Sequence, residues 1–494
     1  MKTTPTITPV PVDKDGFFAY LVTQKRLLAI AFFSGIVLFL LLKFLFPLPD
    51  FFFDSFSYVK DAVIHDGFGY RPIGYPDFLY FIHDNIATGA GAVVFIQYLL
   101  FFLSSVFCFF SCDFLLGIPA KLKYVTLLLV IANPMLLFQS NLISSDSLFC
   151  SLTVFWFTSL IWFIKRPNWV ILVLQAVLLV TCLYVRYVSL FFPLVTAGSF
   201  LASRTKIAYK ISGIALSLVL VYSYVNWQEN KIEEKFGVRV FSGFSGWQIA
   251  NNALCYYKKI NIKEIDLPDN ESRIINRIVK ARIDNIYEDG DVSTRYMWDT
   301  KSPLKLYLRA RSKYEGEVYF PEWLKSSQDI GRYGWALVKH DPLAYVQYFM
   351  LPNCKYFFLP APEILADYNC FYLTIPAECK NWFGFDFNEL SCRFPGLQQT
   401  IMAGFPYISF ALNLLNIAII FFFLLRNRKR WKRMDKSARS LFISWGLFYF
   451  GFLLFCTFSA FIVLRYMDTM FVLGIIIPAV LFKYSHKEIM QHEV

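Results

Sequence analysis

Apolar runs long enough to cross a lipid bilayer recur along most of this 494-residue chain. A helical span needs roughly 20 apolar residues, because lipid cannot satisfy the hydrogen bonds of exposed backbone groups. With 56% hydrophobic and 17% charged residues, the chain is too apolar for one soluble domain. We therefore expect an all-α polytopic membrane protein with about 10 transmembrane helices. The expected spans cover residues 27–46, 90–110, 124–138, 147–164, 169–184, 188–201, 211–225, 401–425, 441–461 and 470–482.

Lysine and arginine residues fall in alternate connections between the expected spans, and such loops normally lie in the cytoplasm. The densest basic run, at 426–439, separates the eighth span from the ninth. Its position indicates a cytoplasmic loop that also attracts anionic membrane lipid, so the net charge of +12 does not imply nucleic-acid binding. No small-residue cleavage site follows the first span, and both termini are expected in the cytoplasm.

The expected spans divide the chain into three regions. Two membrane modules flank a polar region in which apolar residues recur mostly at helical spacing. This region is long enough for a small extracytoplasmic domain, and the first loop is expected on the same outer side. The regions are an N-terminal module at 1–225 with its first outer loop at 48–89, the extracytoplasmic domain at 226–398 and a C-terminal module at 399–494.

The first outer loop begins with a helical pattern of polar residues. Asp54, Tyr58, Asp61 and His65 follow one another at i, i+4, i+7 and i+11. This spacing predicts an amphipathic helix that lies along the membrane surface, with its acidic stripe facing water. Glycine and proline residues at 67–76 then end the helix and turn the chain back.

Two carboxylates and two guanidinium groups fall close to the outer ends of different spans. They are Asp54, Asp146, Arg186 and Arg465. An enzyme that uses a lipid-linked phosphosugar needs a carboxylate to accept the proton of the acceptor hydroxyl and cations to hold the departing phosphate. Arginine suits the phosphate because its planar fork binds two oxygens and keeps its charge.

The same four residues also have a structural interpretation. Asp54 and Asp146 stand beside serines and could each cap a helix. Arg186 and Arg465 could be interfacial anchors whose charged ends reach water. The presence of all four at one expected level favours a functional site over four separate structural roles.

Several short motifs follow one another along the chain. The first loop contains D-S-x-S-Y-x-x-x-A at 54–62 and R-P-I-G-Y-P at 71–76. An N-P-M segment leads into L-I-S-S-D-S-L within 133–148, and L-R-Y follows at 464–466. In this order the motifs resemble the GT-C glycosyltransferases, and are closest to the dolichyl-phosphate-mannose protein mannosyltransferase and bacterial aminoarabinose transferase branch. The likeness covers the first seven expected spans well and the polar domain poorly.

The resemblance implies a GT-C-like helical bundle and an inverting transferase that uses a polyprenyl-phosphate sugar donor. The acceptor is a lipid, a protein or a polysaccharide, and the membrane is a bacterial inner membrane with the active site on the periplasmic side. Relatives often carry two adjacent acids in the first loop, whereas Ser55 follows Asp54 here. No cofactor is therefore certain, although a divalent metal remains open.

The resemblance and the expected topology together assign roles to eight residues. The two acids are catalytic, with Asp54 as the base; the arginines contact the donor phosphate, and the tyrosines line the substrate site or the membrane interface. The set is Asp54 and Asp146 (acids), Arg71, Arg186 and Arg465 (donor phosphate), and Tyr58, Tyr75 and Tyr466 (substrate lining).

Two other functions are compatible with such a chain. A glycan polymerase or ligase would also have many spans and outer arginines, but would take a lipid diphosphate donor. A transporter of lipid or solute would be expected to carry charges in the middle of its spans. Residues 92–110 and 441–461 contain no charged residue, and no internal repeat is visible. Both observations make a transporter a less favoured function than a transferase.

Five of the ten cysteines lie in the polar domain, where an oxidising compartment would permit disulfides. We predict a short bridge between Cys370 and Cys379, with one thiol of the five left over. No C-x-x-C pair occurs, so metal binding by cysteines is not expected.

Overall fold

The computed structural model describes residues 16–65, 68–282, 292–312, 319–371, 374–390, 392–394, 396–425 and 436–486. Within these ranges the chain folds into helices, and three isolated backbone bridges are the only extended pairings. The α-helices in chain order are α1 (Phe17–Thr23), α2 (Lys25–Leu45), α3 (Phe53–Ile64), α4 (Gly74–Asn85), α5 (Ala90–Leu115), α6 (Ala120–Ile131), α7 (Pro134–Asn141), α8 (Ser145–Lys165), α9 (Trp169–Val185), α10 (Phe192–Ala202), α11 (Ile207–Phe236), α12 (Gly243–Leu254), α13 (Asn270–Arg282), α14 (Arg295–Trp298), α15 (Pro303–Arg311), α16 (Tyr319–His340), α17 (Pro342–Tyr345), α18 (Leu351–Phe358), α19 (Ala377–Phe383), α20 (Leu397–Met402), α21 (Phe405–Leu425), α22 (Lys436–Ser459) and α23 (Asp468–His486).

Eight helical stretches among the described residues are long and apolar enough to cross a membrane. They lie at eight of the ten expected spans, and the prediction of an all-α integral membrane protein is confirmed to this extent. Two shorter apolar helices, Trp169–Val185 and Tyr187–Ala202, lie at the expected fifth and sixth spans, so ten crossings remain a prediction. The basic run also stays a predicted topology signal, since its residues 426–435 lie outside the described ranges. The eight stretches are Lys25–Leu45, Ala90–Leu115, Ala120–Asn141, Ser145–Lys165, Ile207–Phe236, Leu397–Leu425, Lys436–Ser459 and Leu464–Tyr484.

The bundle packs around α8, which contacts α5, α7, α9, α10, α22 and α23. Aromatic side chains fill the space around it: Trp156 stacks on Phe192 with ring centroids 4.1 Å apart, and Phe157 packs edge-on against Trp445 and Phe448. In contrast, α2, α11 and α21 expose most of their apolar side chains, as expected for helices that face lipid. The first turn of α8 is therefore held firmly at one end of the bundle.

A second hydrophobic core lies beyond the bundle, and we call the part of the chain that forms it, between Ile232 and Phe349, the cap domain. At its centre α12 packs on α16, with the indole rings of Trp247 and Trp323 stacked 5.2 Å apart. The two backbones come close at Gly246, where an added Cβ would lie 1.8 Å from the carbonyl oxygen of Ser327. A side chain at Gly246 would therefore force these helices apart.

The expected extracytoplasmic region at 226–398 contributes to both cores. α11 begins in the bundle and runs without a break to the edge of the cap domain. After the cap domain, α17, a π-helical turn at Val346–Met350 and α18 lead the chain back. Phe357 of α18 packs against Tyr449 and Phe452 of α22, and the segments that follow, up to α20, join the core of the bundle.

The predicted helix at the start of the first loop is confirmed as α3, but its polar stripe does not face water along its whole length, as was predicted. Tyr58, on the stripe expected to face water, is only 5% exposed, whereas Phe53 and Val63 are exposed. The reason is that α3 packs against α4 and α19, which turn its polar stripe toward the first turn of α8. Burial also raises the pKa of Asp61, on the same stripe, to about 6.

The predicted Cys370–Cys379 bridge is not formed, and the described residues contain no disulfide. Cys379 is fully buried on α19, and Cys370 packs against the same apolar core. Both thiols thus act as small hydrophobic side chains.

Candidate active site

Asp146 lies in the first turn of α8 and is almost completely buried, with a side chain 2% exposed. The N-cap of this helix is Ser144, whose hydroxyl accepts from the backbone N–H of Asp146 at 3.2 Å and donates to its Oδ2 at 2.5 Å. Asp146 is therefore not the capping residue, and its carboxylate remains available to other partners. The N-terminus of α8 further favours a negative charge at this position.

Asp54 lies in the first turn of α3, and here too a neighbouring serine takes the capping role. Ser55 Oγ accepts from the backbone N–H of Phe52 at 3.1 Å and donates to the carbonyl of Ile143 at 2.7 Å. The second of these bonds ties α3 to the turn before α8. The Asp54 carboxylate, 17% exposed, is left to face Arg71 and Arg465.

A short backbone pairing brings the two acids together. The N–H of Asp50 donates to the carbonyl of Asn141 at 2.9 Å, and the N–H of Ile143 donates to the carbonyl of Asp50 at 3.0 Å. The start of the first loop is thereby fastened to the α7–α8 connection. α3 and α8 consequently begin side by side.

Three arginines from separate parts of the chain meet these acids. Arg71 forms an ion pair with Asp54, and Arg186 forms one with Asp146. Arg465 joins the two pairs, because its Nη1 lies 3.5 Å from Asp54 Oδ2 and 3.3 Å from Asp146 Oδ2. The structure therefore brings all five predicted charged residues into one cluster.

Two of the three predicted tyrosines border this cluster. The ring of Tyr466 lies 5.1 Å from the guanidinium carbon of Arg186 and 5.0 Å from that of Arg465, within the range of cation–π attraction. Tyr58 lies under Arg71 and its hydroxyl is 2.9 Å from Ser145 Oγ; burial raises its pKa.

Tyr75, predicted to line the substrate site, is placed behind Tyr58. Its side chain is fully buried, with a ring centroid 4.8 Å from that of Tyr58. Its hydroxyl donates to Gln97 Oε1 at 2.6 Å. In this position Tyr75 supports the ring of Tyr58 and does not border the charged cluster.

Asn353 of α18 fixes the loop that carries Arg465. The side-chain amide of Asn353 donates to the carbonyls of Thr457, at 3.0 Å, and Ala460, at 2.6 Å, and its Oδ1 accepts from the N–H of Ile462 at 3.2 Å. These bonds satisfy carbonyls at the end of α22 that the helix itself leaves unpaired. The loop from α22 to Arg465 is therefore ordered by residues far away in sequence.

Two further acids near the cluster were not singled out from the sequence. Asp468, the first residue of α23, is 3% exposed; neither carboxylate oxygen accepts a hydrogen bond from a described residue, and Arg186 and Arg465 act on it electrostatically. Asp468 follows Arg465 by three residues in the sequence, and this proximity could have identified it as a candidate site residue. Glu363 has a left-handed backbone with φ of 45° and interacts electrostatically with Arg465 and Asp54. No sequence pattern marks Glu363.

The residues at this site do not fit a divalent metal. The described residues contain no group of three or more His, Cys, Asp or Glu side chains that could hold one. Asp54 and Asp146 already contact arginines. Ser55 occupies the position of the second loop acid found in relatives, and its hydroxyl is hydrogen-bonded to backbone groups. The cluster instead offers guanidinium N–H groups beside a partly accessible carboxylate, which suits an anion and a hydroxyl group bound together.

Comparison with protein-family models gave no match, and comparisons with curated proteins and with solved structures found no similar protein. The functional assignment therefore depends on the chemistry of the cluster and on the sequence motifs.

Proposed function

We propose that this protein is an integral-membrane glycosyltransferase of GT-C type. It moves a sugar from a polyprenyl-phosphate donor to a hydroxyl group of a lipid, protein or polysaccharide acceptor, with inversion, at the periplasmic face of a bacterial inner membrane. The observation that carries the proposal is the bridge that Arg465 makes between Asp54 and Asp146. It joins a general-base candidate and phosphate-binding groups in one site.

The reaction uses the two kinds of group in one displacement. The acceptor hydroxyl oxygen forms a bond to the anomeric carbon while Asp54 takes its proton. The bond from the anomeric carbon to the phosphate oxygen breaks, and the electron pair leaves with the polyprenyl phosphate. Arg71, Arg186 and Arg465 stabilise the charge on that phosphate. Attack opposite the leaving group inverts the configuration at the anomeric carbon.

Exposure distinguishes the roles of the two acids. Asp54 is 17% exposed and Asp146 is 2% exposed, so the acceptor reaches Asp54. Asp146 is enclosed by Ser144 and two arginines, where it orients the guanidinium groups. Phosphate oxygens of the donor compete for the N–H groups of Arg465 and free Asp54 to accept the proton.

The test is transfer by purified protein in proteoliposomes. Each vesicle preparation receives an undecaprenyl phosphate carrying one radiolabelled sugar, from a panel of sugars, and a cell-envelope extract as acceptor. We expect the wild type to transfer label from at least one donor, and Asp54→Asn to lose more than about 100-fold of that activity. Asp84→Asn is the matched control, since it removes an exposed carboxylate from α4 in the same loop.

A failure would take one of two forms. Full activity of a folded Asp54→Asn variant would exclude Asp54 as the base. A wild type that uses only diphosphate-linked oligosaccharides, or moves substrate without covalent change, would contradict the monophosphate transferase.

A further inference from the structure

One face of α16 borders a cavity of about 840 Å³ in the cap domain. Gln328, Arg332, Trp335, Lys339 and His340 follow one another on this face at helical spacing. Twelve residue steps of helix correspond to about 18 Å, so the cavity is an elongated groove. Its other wall comes from the start of α12 and from the segments at 239–240 and 266–268. We call this cavity the α16 groove.

The charges of the α16 groove are largely balanced within the protein. Arg239 is paired with two glutamates and Arg332 with two aspartates, all at 3.2 Å or less. Asp266 lies 4.0 Å from His340. Lys339 is the lining cation for which the described residues supply no carboxylate. A polyanion would meet little uncompensated positive charge here, whereas a hydroxyl-rich ligand would meet many donors and acceptors.

An exposed indole lies midway along this polar groove. Trp335 is 44% exposed, and Phe458, with a ring centroid 6.2 Å away, supports it on one side. An aromatic face surrounded by planar polar side chains matches a sugar ring, which presents C–H groups on its faces and hydroxyl groups around its edge.

The α16 groove ends next to the loop that carries Arg465. α16 ends at His340, and α17 follows directly. The hydroxyl of Tyr345 in α17 donates to the carbonyl of Phe458 at 2.6 Å, at the end of α22. The six residues after Phe458 lead to Arg465. A chain bound along the groove would therefore have one end close to the charged cluster.

We propose that the α16 groove binds an oligosaccharide chain of the acceptor. This inference depends on the proposed transferase function for the role of acceptor, but not for saccharide binding itself. If the groove binds such a chain, the acceptor carries a glycan and is not a simple protein hydroxyl or an unglycosylated lipid.

Saccharide binding is measured with the full-length protein in nanodiscs on an array of neutral and acidic oligosaccharides from microbial envelopes, followed by titration of the best-bound glycan. The wild type should bind neutral chains of several sugars. Trp335→Ala should weaken binding at least about tenfold, because the stacking face is lost. Trp298→Ala is the matched control, since Trp298 is 45% exposed in the same domain but does not line the groove.

Binding of acidic polymers alone, equal affinity in Trp335→Ala, or an array without any bound glycan would each overturn the inference. Asp54→Asn should bind glycan like the wild type, which separates binding from transfer. If the wild type binds glycan but transfers sugar from no polyprenyl-phosphate donor, the proposed transferase function is refuted and saccharide binding by the α16 groove is supported. If it transfers sugar and binds no glycan, saccharide binding is refuted and the transferase function is supported.

Discussion

At the scale of single residues, three aspartates lie close to three arginines in the charged cluster. Asp54, Asp146 and Asp468 face Arg71, Arg186 and Arg465. The first two acids have direct arginine contacts, but the oxygens of Asp468 accept no hydrogen bond from the described residues. A buried carboxyl group without hydrogen-bond donors is costly, and Asp468 departs from the general rule that buried polar groups are hydrogen-bonded.

At the scale of elements, the link between α2 and α3 is fastened by one buried carboxylate. Asp50 is 1% exposed, and its oxygens accept from the N–H of Asn369 at 2.7 Å and from Gln398 Nε2 at 3.1 Å. Burial raises the pKa of Asp50 from 3.8 to about 7, although these hydrogen bonds oppose the rise. The first loop and the segments after α18 are therefore held together by a group that titrates near neutral pH.

This raised pKa predicts how stability changes with pH. Between about pH 4 and pH 7 the unfolded chain has lost the Asp50 proton while the folded protein keeps it, so stability falls as the pH rises and levels off above pH 7. The contribution is on the order of 4 kcal/mol for a shift of this size. The unfolding temperature of the wild type should fall more steeply between pH 5 and pH 8 than the unfolding temperature of Asp50→Asn. Parallel curves for the two proteins would contradict a raised Asp50 pKa, and Asp84→Asn should keep the wild-type slope.

Several features of the elements followed from the sequence, because they depend on local pattern. The apolar runs predicted the long helices, and polar residues near their ends predicted that Asp146 and Arg465 would meet. The orientation of α3 did not follow, because it depends on contacts with α19, more than 300 residues later along the chain. The same limit applies to Asn353, whose amide caps α22 across a separation of more than 100 residues. Asp468 was visible in the sequence but resembled an ordinary acid in a first helical turn.

At the scale of the whole molecule, the cap domain and the charged cluster lie at the same end of the bundle. The carbonyls at the end of α22 receive hydrogen bonds from the cap domain, and the loop that follows carries Arg465. If the lysine- and arginine-containing loops at the other end are cytoplasmic, both the cluster and the cap domain lie on the side of the membrane away from the cytoplasm.

This orientation can be measured by thiol labelling in intact cells. In a background with Cys354, Cys370 and Cys392 replaced by serine, Ile265→Cys in the cap domain should react with a membrane-impermeant maleimide, because Ile265 is 84% exposed. Lys206→Cys, before α11, should react only after the membrane is permeabilised. The reverse labelling pattern would place the charged cluster on the cytoplasmic side of the membrane. The cluster would then lie on the opposite side from the proposed periplasmic donor.

In the proposed reaction, Asp54 acts as the base beside Asp146 and Arg465 while a sugar is transferred onto an envelope glycan. Mass spectrometry of envelope glycans tests it most directly, in cells with the wild type, without the protein, and with Asp54→Asn at normal abundance. We expect one sugar mass to disappear from the same glycan in the deletion and in the Asp54→Asn cells, and to persist in Asp84→Asn cells. Glycans from Asp54→Asn cells that match the wild type would contradict the claim.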